Sequence, residues 1–499
     1  MERSITYYIN KEAQVHAERY QNYHNYLNLE YERNIKRLKR VPSKEVKVPD
    51  EWTINKKYNP FYVLRHVSQI AKSISKKIKD GTYAPMAPYK KAIPKAGGGE
   101  REISVYQLPD SAVSDKFYHD LLKKNKHRFS HFSYAYRNDR NVHFAIQDIA
   151  NDIKNSERIF VAEFDFSNFF GSIKHSYIFE QMTENCFSVS STERSVIEAF
   201  LKHSSKDGVG VPQGLSISLF LANLACWRLD RLLEEEGLRF ARYADDTIIW
   251  TKDYTKICKA FDIINQFAQL TGIQINFAKS DGISLLQKEG TSSEFAKTKY
   301  HVEFLGYKIS TETIGIRNKS VIKIKKQISY LLYKNLIQPI KYFPINAINL
   351  PGKDRDRDFL IAIMQIRRYL YGNLSENTLA RYLNGTYNRL NFKGLMSFYP
   401  IIDNEAQMIE LDKWMVSTFL NVLRKRKQIL ISHGRPSLDH FPFDLTSAEL
   451  IKQCRAQKFG KSKGLYRIPS FLRIYKAIQI GVNSIGVEKV MNKKIGYYE

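Results

Sequence analysis

The chain has few cysteines and no long apolar run. Its four cysteines, Cys186, Cys226, Cys258 and Cys454, are scattered and form no Cys-x-x-Cys pair, so neither a zinc ribbon nor a disulfide framework is indicated. No apolar stretch approaches the roughly 20 residues that a membrane-spanning helix needs. The N-terminus also lacks the charged and then apolar profile of a secretory signal. These absences predict reduced thiols, no membrane segment and a cytoplasmic location.

Acidic residues are scarce relative to basic ones. The 499 residues include 51 Asp and Glu against 78 Lys and Arg, which gives a net charge of +27. An excess of this size strengthens binding to polyanions, and since the sequence does not favour a membrane, nucleic acid is the expected partner. The 31 tyrosines and 29 phenylalanines mostly serve to pack a core, although aromatic rings beside cations also stack on unpaired bases.

Two adjacent carboxylates stand between two strand-like runs in the middle of the chain. Residues 238–250 read LRFARYADDTIIW, and the aromatic and β-branched residues on either side of Asp245 and Asp246 predict a tight β-hairpin. Two neighbouring anions repel each other, and a divalent cation is one reason to hold them together. A solvated Asp-Asp turn is the alternative that this stretch alone leaves open.

A third carboxylate ends another predicted strand. Residues 159–170 read IFVAEFDFSNFF, with Asp165 at the end of the strand and a turn after it. Asp165 and Asp245 are 80 residues apart, which is enough for a helical crossover between neighbouring strands of one sheet. Three carboxylates from two adjacent strands would form a two-metal site, with ions roughly 3.5–4 Å apart.

Two glycine-containing stretches flank these strands. Residues 93–103 read IPKAGGGEREI, which predicts a flexible turn whose cations close over phosphates, or else a plain hairpin with exposed charges. Residues 208–218 read GVGVPQGLSIS and lead into a helix predicted over 219–235, whose start suits either an anion or ordinary capping.

The remaining segments predict helices at both ends of the chain. Residues 1–45 carry tyrosines near helical spacing and predict an amphipathic helix, and residues 256–270 predict another. Residues 302–309 predict a strand interrupted by Gly306. From about residue 315 the pattern is mostly helical and basic, and its cations form either a solvated face or a nucleic-acid track. Prominent cations in this part are Arg355, Arg357, Arg367, Arg368, Arg424, Lys425, Arg426 and Lys427.

Taken in order, six of these stretches resemble the motifs of bacterial reverse transcriptases. The resemblance covers roughly residues 90–310, and the probability that six motifs agree in one order by chance is very small. The matching pieces are residues 93–95 with Arg101, residues 164–170, residues 212–214 with Ser216, residues 243–246, Gly272 with Lys279, and residues 304–307.

The resemblance implies an α+β fold of the right-hand polymerase type. Fingers and a palm with an antiparallel sheet are expected, followed by a helical thumb, with helical extensions at both ends. The expected boundaries are 1–60 for the N-terminal helical extension, 61–310 for fingers and palm, 311–400 for the thumb and 401–499 for the basic helical C-terminal region.

The resemblance also implies a role for each matching residue. Asp165, Asp245 and Asp246 would be catalytic and would hold two Mg²⁺ ions, with the backbone carbonyl of Phe166 as a further ligand. In the nucleotide pocket, Lys95 and Arg101 would clamp the triphosphate, Gln213 would line the site, Phe170 would block a 2′-hydroxyl, and Lys279 would be the candidate acid for the departing pyrophosphate. Phe304, Leu305, Gly306 and Tyr307 look like the primer grip.

Among bacterial reverse transcriptases, the sequence is most similar to the defence-associated, abortive-infection-like group. Residues 394–399 and 411–414 resemble the thumb region of group II intron proteins, but no Cys-rich or His-rich nuclease module follows. Retron enzymes share the Tyr-Ala-Asp-Asp box but are usually shorter. The expected function is RNA-directed DNA synthesis from dNTPs in antiphage defence, on an RNA template that is a dedicated non-coding RNA, by a homo-oligomer. Some members of the group start DNA from a protein hydroxyl. A maturase-type reverse transcriptase and a catalytically silent RNA-binding scaffold are the alternatives.

Overall fold

The computed structural model separates into two compact units. It describes residues 1–94, 98–154, 156–202, 207–293, 295–351, 356–435, 438–439, 441–456, 458–459, 464–465 and 467–491. The first unit comprises residues 1–28 and 45–300, and the second comprises residues 29–44 and 301–499. The four-part division expected from the sequence stays a prediction.

Helices dominate both units, and none of those in the described ranges is long and apolar enough to cross a membrane. The first unit and the helix that leaves it contain α1 (Glu2–Ile35), α2 (Glu51–Ile54), α3 (Pro60–Arg65), α4 (Val67–Lys79), α5 (Leu108–Asn125), α6 (Val142–Ile153), α7 (Phe169–Ser172), α8 (His175–Glu184), α9 (Ser191–Leu201), α10 (Ser216–Ala225), α11 (Trp227–Glu235) and α12 (Tyr254–Thr271). The second unit contains α13 (Asn318–Leu332), α14 (Arg357–Tyr371), α15 (Glu376–Leu383), α16 (Glu405–Ser432), α17 (Ser447–Ala456), α18 (Phe471–Ile485) and α19 (Val487–Val490).

Short strands form the sheets of both units. In the first unit they are β1 (Tyr89–Pro94), β2 (Glu100–Val105), β3 (Arg158–Phe164), β4 (Phe166–Ser167), β5 (Arg239–Tyr243), β6 (Asp246–Thr251), β7 (Gln274–Ile275), β8 (Gly282–Gln287) and β9 (Thr298–Lys299). In the second unit they are β10 (Val302–Phe304), β11 (Tyr307–Ile309), β12 (Ile314–Ile316), β13 (Lys458–Phe459) and β14 (Gly464–Leu465).

The first unit is organised around a five-stranded sheet. Its strand order is β5-β6-β3-β8-β9, antiparallel except for the β8–β9 pair. Helix α12 confirms the helix predicted over residues 256–270. Its buried residues Ile257, Ala260, Ile264 and Phe267 recur every three or four positions, as an amphipathic helix on a core requires. The side chain of Asp253 caps its N-terminus by accepting from the amides of Thr255 and Lys256.

Helix α1 buries a different face from the one that its tyrosines suggested. Ile5, Ile9, Ala13 and Ala17 lie four residues apart and are buried in the first unit. Tyr23, Tyr26 and Tyr31 are exposed. The helix predicted over residues 1–45 is therefore present over Glu2–Ile35, where this apolar face docks it and Tyr20 adds a ring contact with Trp52 at a centroid distance of 4.9 Å.

The second unit is held together by a buried ion-pair network. Arg426 on α16 has no exposed surface and donates to both carboxylate oxygens of Asp356, with N–O distances of 2.7 and 3.1 Å. Its guanidinium also reaches Asp358, which pairs in turn with Arg37 at 2.8 Å. The sequence analysis placed Arg426 among the cations of a solvated face or a nucleic-acid track. For Arg426 this prediction was wrong, because its side chain is buried and its charge is compensated inside the fold.

Replacing Arg426 by methionine should destabilise the second unit strongly. The substitution leaves Asp356 and Asp358 buried without their main counter-charge, which costs about 3–5 kcal/mol. Arg424→Met on the same helix is the matched control, because Arg424 is exposed and should change stability by less than about 0.5 kcal/mol. Thermal and urea unfolding of the two variants compares them. Equal stability would contradict the buried network.

Candidate active site

Asp165 lies at the point where β3 ends and the short strand β4 begins. Its carboxylate accepts a hydrogen bond from Asn276 Nδ2 at 2.8 Å and lies 3.0 Å from the Lys279 ammonium. Its backbone amide donates to the Ser280 hydroxyl at 3.1 Å. Three residues of the segment that follows β7 therefore fix the carboxylate and the backbone of Asp165.

Asp245 and Asp246 form the tip of the β5–β6 hairpin, as the sequence predicts. Tyr243 pairs with Asp246, so Ala244 and Asp245 make a two-residue turn, with Ala244 at a φ of +61°. In the neighbouring ladder, Phe164 of β3 pairs with Thr247 of β6. Asp165 and Asp246 each lie one residue beyond this pair, at the same end of the sheet.

The pKa of Asp245 reflects the charged groups that surround it. Burial raises the pKa of Asp245, and the negative charge of Asp165 raises it further. Arg101 and Lys279 act in the opposite direction and lower this pKa. Two predicted catalytic carboxylates and two predicted nucleotide-binding cations thus lie within electrostatic reach of one another.

A buried arginine that the sequence analysis did not select supports the hairpin. Arg242 has no exposed surface and makes two hydrogen bonds of 2.6 Å to the carboxylate of Asp230 on α11. It also donates to the Ala244 carbonyl at 3.0 Å and the Ser133 hydroxyl at 2.8 Å. Burial favours a neutral guanidine, but Asp230 overcomes this and raises the Arg242 pKa, so the side chain stays charged.

Aromatic rings form a second wall beside the carboxylates. Phe170, on the short helix α7, has its ring centroid 6.5 Å from that of Tyr136. The Tyr136 ring lies the same distance from Tyr243. Burial, with Asp245 as the next cause, raises the pKa of Tyr136 to about 12, so its hydroxyl stays protonated at neutral pH. Tyr136 therefore joins Phe170 to the hairpin that carries the aspartates, a role that its sequence context did not signal.

The loop before α10 is tied to the β1–β2 hairpin. The Gln213 carbonyl accepts from the Ser104 amide of β2 at 3.1 Å. Gly214 has a φ of +113°, and a Cβ atom there would lie 2.6 Å from the Ser104 carbonyl oxygen. Only glycine allows this approach. The start of α10 is capped from within the fold, because the Ile217 amide donates to the Ser114 hydroxyl at 2.9 Å, which favours the ordinary capped helix among the two alternatives.

Lys95 and residues 304–307 are the remaining predicted site residues. Lys95 lies outside the described residues. Residues 304–307 belong to the second unit, where Phe304 and Tyr307 are buried and Leu305 and Gly306 form the turn between β10 and β11. The Tyr307 hydroxyl donates to the Phe398 carbonyl at 3.2 Å, so this side chain is engaged in the fold.

The carboxylate cluster has the donor chemistry that Mg²⁺ prefers, since it offers carboxylate oxygens and one adjacent backbone carbonyl at Phe166. A divalent cation would relieve the mutual repulsion of Asp165 and Asp245, whereas the Lys279 ammonium already pairs with Asp165 and partly balances its charge. Within the described ranges, no three His, Cys, Asp or Glu side chains are close enough to form a complete metal site. The donor atoms therefore suit a metal ion, but within the described ranges they do not form a complete coordination shell.

Comparison with known proteins matches this part of the chain to one family. Residues 93–309 match the family described as "Reverse transcriptase (RNA-dependent DNA polymerase)". The Retron Ec86 reverse transcriptase of Escherichia coli is 31% identical over 125 residues, which are 24% of this chain and 35% of that enzyme. Protein YkfC of Escherichia coli strain K12 is 25% identical over 168 residues, covering 32% of this chain and 44% of that protein. The chain thus spans less than half the length of these curated relatives.

Solved structures with similarity include two yeast telomerases in complex with a fragment of telomeric RNA. The one from Candida albicans has a TM-score of 0.36 and 12% identity, covering 76% of this chain and 67% of that one. The one from Candida tropicalis has a TM-score of 0.37 and 15% identity, covering 86% and 64%. Scores this low carry no functional argument.

Replacing Asp245 by asparagine should stabilise the metal-free protein at neutral pH. A raised pKa means that the folded state binds the proton more tightly than the unfolded chain. Stability therefore falls as the pH rises from the ordinary carboxyl value through the raised one, and the cost is complete above both. We expect a higher melting temperature for Asp245→Asn than for the parent protein at pH 7.5, with a smaller gain at pH 4.

Added Mg²⁺ should raise the melting temperature of the parent protein at pH 7.5 more than that of the Asp245→Asn variant, because the ion binds the ionised carboxylate. Asp262→Asn, an exposed position on α12, is the control for loss of one negative charge. An unchanged melting temperature together with an unchanged Mg²⁺ response would remove Asp245 from the metal site.

The antiparallel sheet, the carboxylates at its end and the six ordered motifs agree with the right-hand polymerase fold that the sequence predicts. Residues 93–309 of this chain are therefore similar to the reverse transcriptase family.

Proposed function

We propose that this protein is an RNA-directed DNA polymerase that uses two Mg²⁺ ions and acts with a dedicated non-coding RNA in bacterial antiphage defence. The observation that carries the polymerase assignment is the convergence of Asp165 and Asp245 with Arg101 and Lys279 at one end of the family's catalytic domain. This set combines anions for metal ions with cations for a triphosphate, which is what phosphoryl transfer requires.

The chain's own residues take complementary parts in this reaction. Asp165, Asp245, Asp246 and the Phe166 carbonyl would hold the metal ions, which activate the attacking hydroxyl and stabilise the leaving pyrophosphate when bound. Asn276 and Ser280 orient Asp165. Lys279, whose ammonium lies 3.0 Å from Asp165, would donate a proton to the departing pyrophosphate.

The nucleotide would be held by the residues around this centre. Arg101 and Lys95 would bind the triphosphate, and Gln213 would line the base and sugar pocket. Phe170, which is braced by Tyr136, would stand against the sugar and exclude a 2′-hydroxyl. Residues 304–307 would support the primer strand. The substrates are accordingly dNTPs, and the product is DNA.

The RNA partner and the biological role follow from charge and family. A net charge of +27 favours a lasting complex with RNA in addition to transient template contacts. The similarity to a retron reverse transcriptase of Escherichia coli supports a bacterial reverse transcriptase. The helical C-terminal region resembles the extensions of the abortive-infection-like group, which supports a role in defence and a homo-oligomer. A cytoplasmic location is part of the same proposal.

The deciding experiment is to purify the protein with its bound RNA, add Mg²⁺ and dNTPs without a primer, and sequence both the RNA and the DNA. A defined small RNA with DNA made in the absence of primer is expected, and DNA that stays attached to protein would indicate a protein primer. Copying of intron RNA from an added primer would instead identify a maturase. RNA binding without any DNA synthesis would identify a scaffold.

The double variant Asp245→Asn with Asp246→Asn should lose DNA synthesis by at least about 10³-fold, because metal-ion catalysis of this kind contributes several kcal/mol. Folding and RNA binding should persist, since the two side chains lie at a hairpin tip. Incorporation of labelled dNTP and a filter-binding assay measure the two properties. Asp262→Asn should behave like the parent, and polymerisation by the double variant would contradict the site.

The Phe170→Ala variant should admit ribonucleotides more readily, because it removes the ring that would collide with a 2′-hydroxyl. The ratio of kcat/KM for dNTP to that for rNTP should fall roughly 10- to 100-fold. Phe170→Leu keeps most of the bulk and should retain most of the selectivity. Unchanged selectivity in the alanine variant would take Phe170 out of this role.

A further inference from the structure

An exposed pair of aromatic rings projects from the second unit. Tyr342 is 70% exposed and Phe343 is 76% exposed. We call residues 341–343 the aromatic tip. Burying such rings is ordinarily favourable by a few kcal/mol each, so two adjacent exposed rings call for a reason.

The aromatic tip is held out by a well-anchored loop. Ile340 and Ile345 on either side of it are buried, and the amides of Asn346 and Ala347 both donate to the Pro339 carbonyl at 3.1 Å. The Lys39 amide donates to the Asn346 carbonyl at 2.7 Å, and the Asn346 side chain exchanges hydrogen bonds with the backbone of Arg40. The exposure of the two rings is therefore a consequence of the fold.

Further flat or cationic groups adjoin the aromatic tip. The His433 ring lies 5.8 Å from Phe343, with an interplanar angle of 32°. The Lys341 ammonium lies 4.8 Å from the centroid of the Tyr342 ring. Tyr342 first and Tyr333 next raise the pKa of Lys341, so Tyr333 is a close neighbour.

The charge of this surface is of one sign. The two backbone segments that pair here, residues 36–40 and 338–348, contain Lys36, Arg37, Lys39, Arg40 and Lys341 and no Asp or Glu. All of these except Arg37 are exposed, and Arg37 is engaged with Asp358. A polyanion with flat rings of its own is the ligand that this combination suits.

We propose that the aromatic tip is a stacking site for unpaired bases of a single-stranded nucleic acid. Tyr342 and Phe343 provide the ring faces, and Lys341 with Lys39 and Arg40 provides the phosphate contacts. The proposal rests on the proposed function in that a nucleic acid is the partner. It concerns binding alone and requires no DNA synthesis.

The test measures binding of fluorescent 12-nucleotide oligouridine and oligothymidine to the full-length protein without dNTPs. Tyr342→Leu with Phe343→Leu keeps apolar bulk but removes the π-faces, and we expect both oligonucleotides, or one of them, to bind about 10-fold more weakly, within the range for loss of base stacking. An effect on oligouridine alone would identify RNA as the ligand, and one on oligothymidine alone would identify the DNA product. Tyr7→Leu, at an exposed tyrosine of α1, is the matched control and should change nothing.

The salt dependence separates stacking from charge. The leucine variant should keep the parent's slope of log K against log salt, whereas Lys341→Ala should reduce that slope by about 0.7. Photocrosslinking with 4-thiouridine in the oligonucleotide should label the tryptic peptide of residues 342–353.

Parent-like affinity of the leucine variant, or no crosslink on that peptide, would overturn the proposal. A leucine variant with parent-like affinity but a smaller mass in sedimentation would show that the aromatic tip is a contact between copies of the chain. Failure of the parent protein to make DNA would refute the polymerase and leave these binding results unaffected.

Discussion

The ion pair between Arg242 and Asp230 is the interaction on which the candidate active site depends. It lies directly beneath the turn that carries Asp245 and Asp246, and Arg242 also donates a hydrogen bond to the carbonyl of Ala244. Ala244 has a positive φ, which non-glycine residues rarely adopt without support. A fully buried charge is costly unless it is paired and hydrogen-bonded, and Arg242 meets both conditions. The pair ties the hairpin to α11 and, through Ser133, to the segment before α6.

The second unit uses the same device at Arg426, whose partners Asp356 and Asp358 are equally hidden from water. In both units, therefore, one arginine that contributes to the basic composition is buried and stabilises the fold instead of lying at the surface. The positive charge available to nucleic acid is carried by other residues. Within the first unit, the anions of Asp165 and Asp245 sit among the cations Lys279 and Arg101 that partly balance them.

Local pattern was enough to predict the main chemical features. Aromatic and β-branched residues on either side of Asp245 and Asp246 predicted the hairpin, the strand ending at Asp165 predicted the third carboxylate, and helical spacing predicted α12. The family resemblance over residues 90–310 agrees with the matched range 93–309. These features depend on contiguous residues, so the sequence carries them directly.

Residues that act across sequence distance were missed. Asn276 reaches Asp165 from 111 residues away, and no periodicity announces it. Arg426 did have a signal, since it continues the buried series Leu411, Met415, Phe419 and Leu423 at intervals of three or four. The abundance of nearby cations obscured it. Arg242 also had one, because a cation inside a strand of buried residues must find a partner, although the identity of Asp230 depends on tertiary structure.

Gly214 has a consequence for the two segments that would line the proposed nucleotide pocket. Because its backbone packs against Ser104 with no side chain between them, and the Gln213 carbonyl is bonded to the same residue, the β1–β2 hairpin cannot shift without displacing the loop that leads into α10. Arg101 lies on β2 and Gln213 lies in the loop before α10. Although they come from separate motifs, we therefore expect the two segments to move together. In the proposed function, a displacement of Arg101, which would bind the phosphates, would be transmitted to Gln213, which would line the base and sugar pocket.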